Sequence, residues 1–151
     1  MLLRFAAANH RSILRPVELS MVAVDADRLS VRRFDLLTEG VLPVAGIYGA
    51  NASGKSNVLD AILWLASAVD GSLRFWDEFI PTDPFAFGDD PDAPSTYEIE
   101  MMVRGVRHSY QVEVNAEKVI SETLQSYPER KPRLVLQRDE SDVTLRRRQQ
   151  P

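Results

Sequence analysis

Two glycines, a lysine and a hydroxyl stand at fixed spacing in Gly49-Ala50-Asn51-Ala52-Ser53-Gly54-Lys55-Ser56, which fits G-x-x-x-x-G-K-[ST] at every fixed position. The chemistry served by that spacing is capture of a phosphate chain. A loop wrapped around phosphates must turn its backbone N–H groups inward, and Gly49 and Gly54 permit conformations that a Cβ would block. A helix starting beside them would aim its free amides and positive dipole end at the same anion. Lys55 would reach the β- and γ-phosphate oxygens, and the Ser56 hydroxyl would be a Mg²⁺ ligand. The amides from Asn51 through Ala52, Ser53 and Gly54 to Lys55 would form the anion nest. A glycine turn capping an ordinary helix is the bland alternative. The flanking elements, a strand before and a helix after, decide between the two.

Those elements are legible. Val41 to Tyr48 is apolar almost throughout, which predicts a strand buried on both faces. A helix is expected from about Lys55 to Val69. Its stripe is Val58, Leu59, Ile62, Leu63, Leu65, Ala66 and Val69, and Gly71 is its stop. Met1 to Ala8 and Val17 to Val24 read as an antiparallel strand pair around the polar turn Asn9-His10-Arg11-Ser12. Leu73 to Ile80 suggests a short second helix. A long loop follows, marked by Pro81, Pro84, Gly88, Pro91 and Pro94. Strands are then expected at Tyr97 to Val103, Arg107 to Val114 and Val119 to Ser126, with a hairpin from Arg133 to Arg138 and Asp142 to Leu145. Arg146 to Pro151 reads as a frayed, solvated tail.

Other reactive side chains read as structural. His10 and His108 fall in separate regions and suggest surface or edge positions, with no metal pair. Asp83, Asp89, Asp90 and Asp92 lack EF-hand spacing and read as a solvated loop. Trp64 and Trp76 are expected in the core or against a partner. Met21-Val22-Ala23-Val24-Asp25 imitates a Mg²⁺-binding strand end, but its alternation indicates a half-exposed strand with a turn aspartate. No N-K-x-D segment for guanine recognition occurs, so ATP is expected over GTP.

Composition narrows the class. A chain of 151 residues with 44% hydrophobic and 26% charged residues can form one domain with a real core. A net charge of −4 gives no overall basic field for nucleic acid. With no cysteine, disulfides and thiolate metal sites are excluded, and a reducing cytoplasm is the simplest location. No apolar run approaches a membrane span.

Leu2-Leu3-Arg4-Phe5 followed by Asn9-His10-Arg11-Ser12 resembles the F-x-x-x-N-F-R-S opening of ABC-type ATPases related to RecF, SMC heads and OLD-like proteins, with His10 at the usual aromatic position. Asn51, then Ser53-Gly54-Lys55-Ser56-Asn57, is similar to their G-x-N-G-S-G-K-S-N, with Ala52 where they carry glycine. Asn51-Ala52-Ser53-Gly54-Lys55-Ser56-Asn57 with Val58-Leu59-Asp60-Ala61-Ile62 is especially similar to prokaryotic AAA-like ATP-binding proteins of the OLD-like group. The resemblance implies an α/β P-loop NTPase, specifically an ABC/SMC-head-like N-terminal lobe with an antiparallel β-rich subdomain, shorter than family members. Residues 1–151 would be a partial ATP-binding domain, with a P-loop strand–helix core over 1–71 and the β-rich subdomain over 95–145. It also implies Arg11, Ser12 and Asn57 near the nucleotide.

Family members carry a Walker B strand with a catalytic glutamate, an ABC signature and a switch histidine, and none of these is found here. Gln111, Gln125 and Gln137 stay open as candidates for the family's Q-loop residue. The leading expectation is thus ATP and Mg²⁺ binding by the lobe of an ABC/OLD-like ATPase in DNA metabolism or phage defence. Hydrolysis would need the missing half. The alternative is a non-catalytic module that pairs, as a homodimer or with a longer ATPase. Nucleic acid would enter only in the full-length context, and no membrane is involved. A small-molecule kinase, with Arg130, Arg133 and Arg138 as lid arginines, is the weakest reading, because the β-rich second half does not suit it.

Overall fold

The computed structural model describes residues 1–25, 27–76, 79–88, 90 and 92–146. Seven strands form one sheet: β1 (Leu2–Ala8), β2 (Val17–Ser20), β3 (Ser95–Val103), β4 (Val106–Val114), β5 (Val119–Tyr127), β6 (Arg133–Asp139) and β7 (Asp142–Leu145). Their order is β2-β1-β3-β4-β5-β6-β7, and every neighbouring pair is antiparallel. One helix, α1 (Lys55–Phe75), packs on one face. The described residues thus form an antiparallel sheet with one helix on it, an α/β arrangement in the coarse sense expected from the sequence.

The expected strands from Tyr97 onward form with ends shifted by at most a few residues. Local chemistry explains the turns. Arg104 and Gly105 both have positive φ, 50° and 79°, as a two-residue hairpin with right-handed strand twist requires. Asn115 Oδ1 accepts the amides of Glu117 and Lys118 and closes the next turn.

The core follows from alternation. Leu3, Phe5 and Ala7 of β1 are buried, and the register sets Phe5 beside Ile99 and Ala7 beside Tyr97. Phe5, Ala7, Tyr97, Val112 and Val114 meet Ala61 and Leu65 of α1 in the main cluster, with Val58, Ile62 and Trp64 at its margin. Trp64 stacks on Tyr97 at 4.3 Å between centroids, and its indole N–H donates to the Pro81 carbonyl at 2.7 Å. A second cluster, Leu3, Met21, Val41 and Met102, lies at the other end of β1.

Four expectations need correction. The second strand ends at Ser20, because Ser20 Oγ takes the Val22 amide and the chain turns toward Gly40–Leu42. The helix runs through Gly71 to Phe75, so Gly71 is a buried helical residue and not a stop. Phe79 and Ile80 are not helical, so Leu73 to Ile80 forms no second helix. Residues 77 and 78 lie outside the described residues.

The largest correction concerns Val41 to Tyr48. Only Val41 bridges, to Val22 and Arg32, and the segment leaves its neighbours at Pro43, which has no N–H to continue a ladder. Val44, Ile47 and Tyr48 are exposed at 78%, 39% and 94%. A strand buried on both faces needs strands on both sides. Among the described residues none pairs with 43–48.

The helix stripe divides likewise. Ala61 and Leu65 are buried, whereas Leu59, Leu63 and Val69 are more than half exposed and Ala66 is also exposed. Leu65→Ala should therefore lower unfolding stability by about 2–4 kcal/mol, and Leu63→Ala by less than about 0.5 kcal/mol. Denaturant titration of both variants checks this. Equal losses would mean that α1 sits on the sheet by a different face.

Candidate functional site

The glycine-rich loop spans the exposed segment and the first turn of α1. Ala52 and Gly54 have φ of 64° and 84°, two left-handed positions that reverse the chain into the helix. The Ser53 amide bonds the Ala50 carbonyl at 3.3 Å, and the Asn57 amide bonds Gly54 at 3.0 Å to open the helix. Both motif glycines have steric reasons. A Cβ on Gly49 would stand 2.8 Å from Ser53 Oγ, and one on Gly54 would stand 3.2 Å from Ser12 Oγ.

The Lys55 ammonium curls over this loop. It donates to the carbonyls of Gly49 at 2.9 Å and Ala50 at 2.5 Å, with Ser53 Oγ at 3.4 Å. A cation held only by neutral acceptors at an exposed loop is a position that an anion would occupy with profit to both. Ser56 is exposed on the first turn beside it. Loop, ammonium and hydroxyl thus occupy one place, and their donor set fits a phosphate chain with a hard cation. When bound, Mg²⁺ would supply charge neutralisation, with Ser56 as its protein hydroxyl.

Arg11 and Ser12 come to the same place from β1. Ser12 Oγ accepts a hydrogen bond from Asn57 Nδ2 at 2.5 Å. Arg11 Nε lies 2.9 Å from Asp60 Oδ2 and 3.0 Å from Asp83 Oδ2, and the Arg11 amide donates to the Asp83 carbonyl at 2.7 Å. Asp83, expected in a solvated loop, is therefore a partner of the turn. Asn9, at φ 52°, ties down the loop's far end. Its Nδ2 donates to the Ala93 carbonyl at 2.7 Å and its Oδ1 accepts from the Phe85 amide at 2.9 Å.

The expectation for His10 is overturned. It is fully buried, because an aromatic position in the turn lies over the sheet, against Tyr97 in an edge-on contact. Both ring nitrogens have partners, Tyr97 Oη at 2.9 Å from Nδ1 and Asp60 Oδ2 at 2.9 Å from Nε2. A carboxylate only accepts, so Nε2 carries a hydrogen, and in the neutral ring Tyr97 donates to Nδ1. Burial above all, with the charges of Asp60 and Asp83 adding, raises the Tyr97 phenol above its ordinary range and keeps it a donor. Sequence reasoning missed Asp60. Its signal was its place four residues after Ser56, on the same side of the helix.

The other candidates do not converge on the loop. Cross-strand register sets Gln111 beside Glu98 and Thr123, and Thr123 beside Gln137, while Gln125 pairs with Ser109 and Ser109 with Glu100. All three glutamines thus share the polar face of the sheet, opposite the face that carries α1. Arg130 donates to the Asp35 carbonyl, Arg133 pairs with Glu129 at 3.0 Å, and Arg138 pairs with Glu122 at 3.0 Å, so no cationic lid forms. His108 Nδ1 lies 3.0 Å from the Val106 carbonyl, far along the sheet. Asp25 accepts the Asp27 amide and pairs with Arg28, as a turn aspartate should. No cluster of metal-ligating side chains occurs among the described residues. No helix there is long and apolar enough to cross a membrane. Asp89 and Arg147 to Pro151 lie outside the described residues.

Ala52 holds a left-handed conformation that costs an L-residue about 1 kcal/mol. Ala52→Gly should therefore leave the fold as stable or stabilise it by up to about 1 kcal/mol, after the entropy of glycine is counted, whereas Ala52→Val should destabilise it. Thermal unfolding of the two variants checks the order.

Comparison with protein families gives one match. Residues 44–148 match the family described as "AAA domain, putative AbiEii toxin, Type IV TA system". The matched span covers more than half of the chain and includes the whole glycine-rich loop, α1 and the sheet from β3 to β7. No protein of curated function matches the chain.

Proposed function

The chain belongs to this AAA domain family of P-loop ATPases, and from that premise we propose that it binds Mg·ATP at the loop Gly49 to Ser56. The observation that carries the reading is the Lys55 ammonium, held over the loop by the Gly49 and Ala50 carbonyls at the start of a long helix. In the proposed complex Gly49, Asn51, Ala52, Ser53, Gly54 and Lys55 embrace the phosphates. Ser56 holds Mg²⁺, and Asn57, Arg11 and Ser12 border the site. The N-terminal resemblance to RecF, SMC heads and OLD-like proteins supports the narrower placement as an ABC/OLD-like lobe. Of the two processes that the resemblance implies, the family description, which names a toxin of a toxin–antitoxin system, lies nearer phage defence than DNA metabolism.

Hydrolysis demands more than phosphate capture. A residue must orient water, and further charge must stabilise the transition state. Among the described residues, Asp60 and Asp83, the carboxylates that bond the turn beside the loop, are engaged with Arg11 and His10. We therefore assign turnover to an ATPase completed by further polypeptide. A second reading, a nucleotide-binding module that works by pairing, is favoured by one feature. Val44, Tyr48, Leu59 and Leu63 present apolar side chains outward around the loop. A longer ATPase or a second copy would cover them.

Calorimetric titration with Mg·ATP and Mg·GTP tests the reading. ATP should bind in preference to GTP, and Lys55→Ala should bind ATP at least about tenfold more weakly, about 1.4 kcal/mol. Equal affinities in wild type and variant would remove the assignment. The chain alone should show no appreciable ATP turnover. Robust turnover lost in Lys55→Ala would show that a catalytic carboxylate is present after all.

A further inference from the structure

The turn between β1 and β2 is held with more order than a surface connection requires. Two of its residues, Asn9 and Arg11, have positive φ, 52° and 50°. Its histidine is fully buried, and both its nitrogens are bonded. Its serine touches the glycine-rich loop through Asn57. One atom joins these features. Asp60 Oδ2 accepts from His10 Nε2 and Arg11 Nε, each at 2.9 Å.

We propose that Asp60, with His10 and Tyr97 behind it, is a positioning device that sets the phosphate loop against the turn bearing Arg11 and Ser12. The chain of contacts is continuous. Tyr97 is fixed in the core by Phe5, Val112 and Leu65, with Trp64 stacked on it. Its hydroxyl orients the His10 ring, and the ring orients the Asp60 carboxylate. That carboxylate holds Arg11, whose neighbour Ser12 accepts from Asn57 beside Gly54. Each link is satisfied at both ends, which is the condition under which a buried polar chain fixes one geometry. The sheet is thereby connected to the loop by hydrogen bonds as well as by α1 itself. In this assignment Asp60 touches no ligand. It acts through Arg11 and Ser12, which border the site in the reading proposed above, and on that reading the effect on nucleotide affinity rests.

The test separates the device from that reading. Amide hydrogen exchange is followed on the chain without nucleotide, for wild type, Asp60→Asn and the exposed control Asp70→Asn. Asparagine keeps an acceptor oxygen but loses the charge, so its hold on Arg11 and His10 is weaker than that of the carboxylate. The amides of Arg11, Ser53 and Asn57, bonded to Asp83, Ala50 and Gly54, should exchange about tenfold faster in Asp60→Asn, with β3 to β5 unchanged and Asp70→Asn like wild type. If Asp60→Asn does not fold, Ser12→Ala, which removes only the surface bond to Asn57, is read in the same way at Ser53 and Asn57. Wild-type exchange at those amides in a folded Asp60→Asn, or in Ser12→Ala where that variant must decide, overturns the proposal.

Mg·ATP titration then completes the comparison. Affinity should fall at least about threefold in folded Asp60→Asn, measured well below its melting temperature, and should stay at the wild-type level in Asp70→Asn. Wild-type chain that binds no triphosphate sinks the nucleotide reading, while the exchange result still decides the positioning role.

Discussion

The site is organised by one carboxylate. Asp60 lies on α1, one turn beyond the motif serine, and it is the only point at which the helix grips the β1–β2 turn through charge and hydrogen bonding together among the described bonds. Remove it, and a buried histidine keeps an unpaired N–H while a half-exposed arginine keeps Asp83 as its partner among the described residues. The arginine pair by itself is worth little, because exposed ion pairs contribute about 0.2–1 kcal/mol. The histidine matters more, since a buried donor without a partner costs about 1–3 kcal/mol. The interaction therefore serves placement more than stability, which comes mainly from Phe5, Tyr97, Val112 and Leu65 in the core.

The glycine-rich loop shows a matching division of labour. Its shape is set by backbone geometry, with Ala52 and Gly54 in left-handed conformations and Gly49 left without a side chain beneath Ser53. Its charge comes from Lys55, which rests on loop carbonyls. Its location relative to the sheet comes from the turn and from α1. The family match covers the loop, the helix and most of the sheet, but begins after the turn that carries His10 and Arg11.

Much of this was legible from residues alone. The glycine–lysine–serine spacing pointed to a tight loop opening a helix, and such a loop stands there, with Gly54 at positive φ and α1 beginning at Lys55. Alternation specified β3 and β4, because one side of each joins the core beside α1, whereas β7 is exposed along its length. What failed had a common cause: periodicity reports apolar character and not which surface will cover it. Val44, Ile47 and Tyr48 read as a buried strand yet have no partner strand among the described residues, and Leu59 and Leu63 read as core yet face outward. His10 failed for the opposite reason. A lone histidine in a polar turn looks exposed until the partners on other elements, Asp60 and Tyr97, are known, and those contacts span 50 and 87 residues.

The most direct test of the central claim is residue-resolved. Backbone ¹H–¹⁵N shifts would be recorded as Mg·ATP is added to the chain. The account predicts saturable shifts confined to residues 49–57 and to Arg11 and Ser12, with little change along β4, β5 and β6. Shifts centred instead on the polar sheet face around Glu98, Gln111 and Gln125, or none at all from a folded chain, would contradict it.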